Sequence, residues 1–200
     1  ALFKFFIGVL LVLMFIFIPA GTFNFWNGWL LAGILFIPMF IAGLIMFFKN
    51  PELLKSRLNI NEKNKEQISV VIISGLMFIL GFIIAGLDFR YNWTRLPDII
   101  VFVSSVIFLI SYALYAEVLR ENSFLLRTID VKSGQTLIDT GLYRIVRHPM
   151  YFATLFLFLS IPLILGSLIS FAIFMIYPFV IVRRIIDEER TLEKKLDGYK

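Results

Sequence analysis

The chain has no cysteine and a single histidine, His148, among its 200 residues. The first absence excludes disulfides, thiolate metal ligands and a thiol nucleophile, and the second excludes a multi-histidine metal site. Charge is scarce too. Asp, Glu, Lys and Arg make up 16% of the residues against 60% hydrophobic, where a soluble domain carries about 25% charged and about 45–50% apolar. A disordered chain, a collagen-like chain and an ordinary soluble globule are thereby excluded. The apolar excess lies in long uncharged runs, the mark of a polytopic membrane protein. Mid-span charge is missing as well, Glu117 near the end of one run being the closest approach. That argues against an ion pump, a proton-coupled carrier or a voltage sensor.

Four apolar segments, Phe5–Pro19, Trp26–Phe48, Ile68–Leu87 and Ile99–Leu119, read as transmembrane helices. The first lacks a clear small-x-small cleavage site and is expected to stay as a span rather than act as a signal peptide. The final run, Tyr151–Val182, is 32 residues without a charge. As one helix it would be about 48 Å long, well beyond a hydrocarbon core of about 30 Å. Pro162 and Gly166 sit near its middle, where a break is least costly. The expectation is therefore a hairpin with legs near 150–165 and 168–186. The fold class is an all-α integral membrane protein with about six transmembrane segments, the last two a short helical hairpin. Residues 1–120 form the four N-terminal helices, and residues 121–200 form a cytoplasmic segment, the hairpin and a cytoplasmic helix.

Charge counting sets the orientation. In this arrangement 17 of the 19 basic residues fall on one side, and only Arg90 and Arg95 fall on the other. The excess marks the cytoplasmic face and places both termini there. Trp26, Trp29 and Trp93 fall at membrane borders as interfacial anchors. The net charge of +5 sits beside apolar runs and does not suggest nucleic acid.

Polar residues collect in Glu117–Tyr151 and in Arg183–Tyr199, two stretches that flank the hairpin and can meet at one face. Lys132-Ser133-Gly134-Gln135 reads as a turn, in the manner of a small β-hairpin. Pro149 suits the first turn of the next helix, leaving free N–H groups beside Arg147-His148. Arg184 and Glu188 are four apart and share one helical face. From spacing alone His148 also suits an interfacial polar residue, Tyr143 and Tyr151 an aromatic belt, and Arg184 with Glu188 a solvated pair.

In combination these residues resemble a known family. Gly141-Leu142-Tyr143, then Arg147-His148-Pro149-Met150-Tyr151, an apolar hairpin and Glu188-Glu189-Arg190-Thr191-Leu192 together look like the isoprenylcysteine carboxyl methyltransferase family, which is related to the membrane phospholipid methyltransferases. The resemblance runs from Glu121 to Tyr199. Phe152-Ala153 stands where many members carry Gly, and Gln135 where some carry His. The resemblance implies a membrane methyltransferase with S-adenosyl-L-methionine as methyl donor at the cytoplasmic face. It implies a cofactor segment at Gln135, Thr136, Leu137 and Ile138, a cofactor tyrosine at Tyr143, and a His-Pro-x-Tyr element at His148, Pro149, Met150 and Tyr151. Glu188 is the implied cofactor-binding glutamate and Arg184 the arginine that holds a substrate carboxylate. No metal is implied. The implied partner is a lipophilic or prenylated substrate arriving from the bilayer, and the expected reaction is methyl esterification of an isoprenylcysteine-like carboxylate. The alternatives are N-methylation of a phospholipid head group, a sterol-reductase-like enzyme using NADPH, and a non-enzymatic membrane protein.

Overall fold

The computed structural model describes residues 2–49, 51, 54, 65–122 and 140–195. Its helices are α1 (Leu2–Ala20), α2 (Trp26–Lys49), α3 (Lys65–Tyr91), α4 (Asp98–Glu121), α5 (Pro149–Ile164), α6 (Leu168–Phe174) and α7 (Tyr177–Lys195), with a 3₁₀ turn at Gly141–Arg144. No strand occurs among the described residues. The expected turn at Lys132–Gln135 lies outside them.

Among the described residues, five segments are long and apolar enough to cross a membrane: Leu2–Ala20, Trp26–Lys49, Ile68–Tyr91, Asp98–Glu121 and Leu168–Lys194. The first leg of the expected hairpin is α5, an apolar helix of 16 residues, about 24 Å long and shorter than the hydrocarbon core. The chain is a multi-pass, all-α membrane protein.

The hairpin turn follows from its sequence. Pro162 stays inside α5, and the helix runs on to Ile164 with Leu165 as its C-cap. Gly166 adopts φ +77, donates its N–H to the Leu163 carbonyl, and is followed by Ser167, whose N–H reaches back to the Pro162 carbonyl at 3.0 Å. This paired closure is the Schellman motif, which favours glycine at its left-handed position. Ser167 then caps α6, its Oγ accepting from the Ser170 N–H at 3.0 Å. The same hydroxyl donates to Asp88, a carboxylate buried at the end of α3. Asp88 also accepts from the Thr94 N–H at 2.6 Å and from the Thr94 hydroxyl. Thr94 Oγ1 in turn accepts from the Leu168 N–H at 3.1 Å. The hairpin tip is thus fastened to the α3–α4 loop, at the end of the bundle that carries Arg90 and Arg95.

The second leg breaks at Met175–Ile176, between α6 and α7. Pro178 explains the break, because it has no N–H for the Phe174 carbonyl and its ring would crowd that carbonyl. The helix restarts with Pro178 in its first turn, where proline is tolerated. It then continues into the charged tail without a loop.

The helices pack through small residues, as membrane bundles do. A Cβ on Gly86 would overlap the Ile16 backbone carbonyl, so α1 and α3 cross in close contact there. A Cβ on Gly81 would overlap the Phe174 ring, and Ser170 Oγ donates to the Gly81 carbonyl at 2.8 Å. The buried core gathers Ile16, Leu31, Met77, Phe82, Phe108, Ile161, Ile164 and Phe174. The most extensive helix pair is α4 on α5, and that pair carries the start of α5 to the end of the bundle described next.

Candidate functional site

Two chain directions bring polar residues to one end of the bundle. Leg α5 starts where α7 finishes, so residues 148–151 face residues 184–189. Pro149 is buried at the first position of α5, with His148 in the N-cap position. Proline there fixes φ without forfeiting a helical hydrogen bond. Met150, next in line, packs against the core.

Tyr151 lies one residue further on, and its ring is buried. Its hydroxyl donates to Glu188 Oε2 and accepts from Arg184 Nε at 3.2 Å. Arg184 and Glu188 sit one turn apart on α7, so a single phenol oxygen bridges a guanidinium and a carboxylate. Each group is thereby held in one orientation, and charge-assisted bonds of this kind are stronger than neutral ones. The geometry brings Arg184, Glu188 and Tyr151 together.

His148 lies beside them but bonds to a different acid. Its Nε2 is 3.0 Å from Glu189 Oε1, and Arg147 reaches the same oxygen at 3.4 Å. Adjacent residues on a helix point about 100° apart. Glu188 therefore serves Tyr151 while Glu189 serves His148. Asp187, on the same turn, is buried, and its carbonyl accepts from Thr191 Oγ1 at 2.9 Å.

Tyr143 is held from another direction. It lies in the 3₁₀ turn, and its hydroxyl accepts from Asn122 Nδ2 at 2.9 Å. The Leu142 N–H donates to Glu121 Oε2 at 3.0 Å. Tyr143 is thus tied to the end of α4 rather than to the Tyr151 trio. The expected cofactor segment at Gln135, Thr136, Leu137 and Ile138 lies outside the described residues.

Sequence reasoning assigned no role to Glu121, Asn122 or Glu189. Glu189 could have been suspected from the Glu-Glu pair opposite Arg147-His148. Glu121 and Asn122 lie 21 residues before their partners, and no local pattern announces such a contact.

The fold and site together define a multi-pass helical membrane protein with a Tyr–Arg–Glu cluster at one end. Residues 99–197 match the phospholipid methyltransferase family. The match takes in α4 to α7 and every residue of the cluster, and it supports a membrane methyltransferase without singling out the isoprenylcysteine carboxyl branch. No curated protein matches the chain, and no solved structure does.

Proposed function

We propose that the chain is an S-adenosylmethionine-dependent methyltransferase that acts on a lipophilic acceptor at the cytoplasmic face of the membrane. The observation that carries this reading is the bridging of Arg184 and Glu188 by the Tyr151 hydroxyl, inside the segment that matches the family. The donor set fits the cofactor. Glu188 is an acceptor suited to ribose hydroxyls or an ammonium group, and the faces of Tyr151 and Tyr143 suit a cation. Pro149 and Met150 shape the apolar wall beside them.

Bound S-adenosylmethionine supplies a methyl group on a sulfonium, open to in-line displacement. The protein's part is positional. Arg184 is restrained by Tyr151 and presents a guanidinium to an anionic acceptor, preferably in bidentate fashion. A carboxylate needs no general base, so orientation is the main contribution asked of the residues. The acceptor proposed first is therefore a prenylcysteine-type carboxylate. The family match favours a second reading, N-methylation of a phospholipid amine, which would need a base to take up a proton. The positive-inside count supports a cytoplasmic site with both termini on the same side.

Transfer of a labelled methyl group to each acceptor tests the choice. Methyl esters release the label in alkali, and methylamines keep it. Alkali-labile label on a prenylcysteine supports the first reading. Alkali-stable label on an aminophospholipid supports the second. No transfer to either from folded, full-length protein contradicts the proposal.

A further inference from the structure

We infer that Glu121 and Asn122, at the end of α4, are positioning residues for Tyr143. The inference rests on the reading that Tyr143 faces the cofactor. Thr140 occupies the N-cap position of the 3₁₀ turn, yet its side chain makes no capping bond. The first N–H groups of such a turn need a partner from elsewhere. Glu121 supplies it, its Oε2 accepting from the Leu142 N–H at 3.0 Å. A carboxylate is also the favourable charge at that end.

Gly141 completes the fit. Its φ is +52, in the left-handed region where glycine carries no steric penalty. The space a Cβ would take is filled by the Glu121 carboxylate. Backbone conformation and available volume both call for glycine. Asn122 then holds the far end of the tyrosine, its amide donating to the phenol oxygen at 2.9 Å. The turn is gripped at its backbone by one residue and at the Tyr143 ring by the next. The spacing Gly141-Leu142-Tyr143 has a physical reason in each place: room for Glu121, an N–H for Glu121, and a hydroxyl for Asn122.

The test uses full-length protein in detergent and two readouts. One is calorimetric binding of S-adenosylhomocysteine, the demethylated cofactor. The other is amide hydrogen exchange across residues 140–145, which needs no ligand. Glu121→Ala is expected to speed exchange and to raise Kd about tenfold, the effect of losing a bond to a charged group. Glu121→Gln, whose side-chain carbonyl still accepts from Leu142, should restore most of both. Asn122→Ala and Tyr143→Phe should each weaken binding, and the double variant should fall short of the sum of the two, because the singles share one contact. Faster exchange with an unchanged Kd would make the grip purely structural and overturn the positioning role. Unchanged exchange in Glu121→Ala would overturn the grip itself. Wild-type protein that binds no ligand would defeat the functional reading and the role with it, and the exchange data would still judge the grip separately.

Discussion

At the residue scale, two neighbouring acids of α7 divide their partners. Glu188 accepts from the Tyr151 hydroxyl, which itself accepts from Arg184, while Glu189 faces His148 and Arg147. Replacing Arg184 by Ala should leave cofactor affinity within about twofold and abolish most turnover, since loss of a charged hydrogen bond to the acceptor costs about 1.5–3 kcal/mol. Calorimetry beside an initial-rate assay checks the split, and a large loss of cofactor binding would contradict the assigned role. Much of this cluster was legible beforehand. Arg184 and Glu188 share a face by spacing, and Pro149 marks the start of α5. What spacing could not show is that one phenol joins them, because Tyr151 is 33 and 37 residues away and only the antiparallel legs bring it there.

At the scale of elements, the glycines of α3 supply the sharpest predictions. Gly81→Ala drives a methyl into the Phe174 ring, and Gly86→Ala drives one into the Ile16 backbone carbonyl. A ring can rotate aside and a backbone cannot, so Gly86→Ala should be the more damaging of the two. Overpacking of this kind costs about 1–3 kcal/mol. Gly43 in α2 has nothing within 4 Å, and Gly43→Ala should be neutral or slightly stabilising, because Ala exceeds Gly in a helix by up to about 1 kcal/mol. Thermal unfolding in one detergent ranks the three, and a Gly86→Ala protein as stable as wild type would contradict the close crossing of α1 and α3. The spans themselves were readable from uncharged length, and the hairpin turn from Gly166, whereas Pro162 stays inside α5. The break at Met175–Ile176 was not foreseen, although Pro178 carries the signal. A long apolar run draws attention to its middle, and a proline near its end is easily taken as tolerated. The Asp88 cluster was also missed. Its partners Thr94 and Ser167 come from separate loops, and their meeting is decided by tertiary packing.

For the whole molecule, the two ends of the bundle differ in character. One end carries the hairpin tip, Asp88, Arg90 and Arg95. The other carries the end of α4, the start of α5 and the charged end of α7, with Arg120, Arg147, Arg184 and Arg190. Charge counting predicts that this end faces the cytoplasm. The absence of cysteine makes orientation simple to test, since any introduced thiol is a unique reporter. In intact cells Asn92→Cys should react with a membrane-impermeant maleimide. Lys194→Cys should react only after permeabilisation. The reverse pattern would invert the topology and place the site outside.

The central claim is that Glu188, bonded to the Tyr151 hydroxyl, belongs to a cofactor site. Calorimetric titration of S-adenosylhomocysteine into folded, full-length protein, with Glu188→Ala alongside, tests it most directly. Micromolar-range binding by the wild type, weakened at least about tenfold in the variant as loss of a charged acceptor implies, is the predicted result. Equal binding by the two proteins, or none by the wild type, would contradict it.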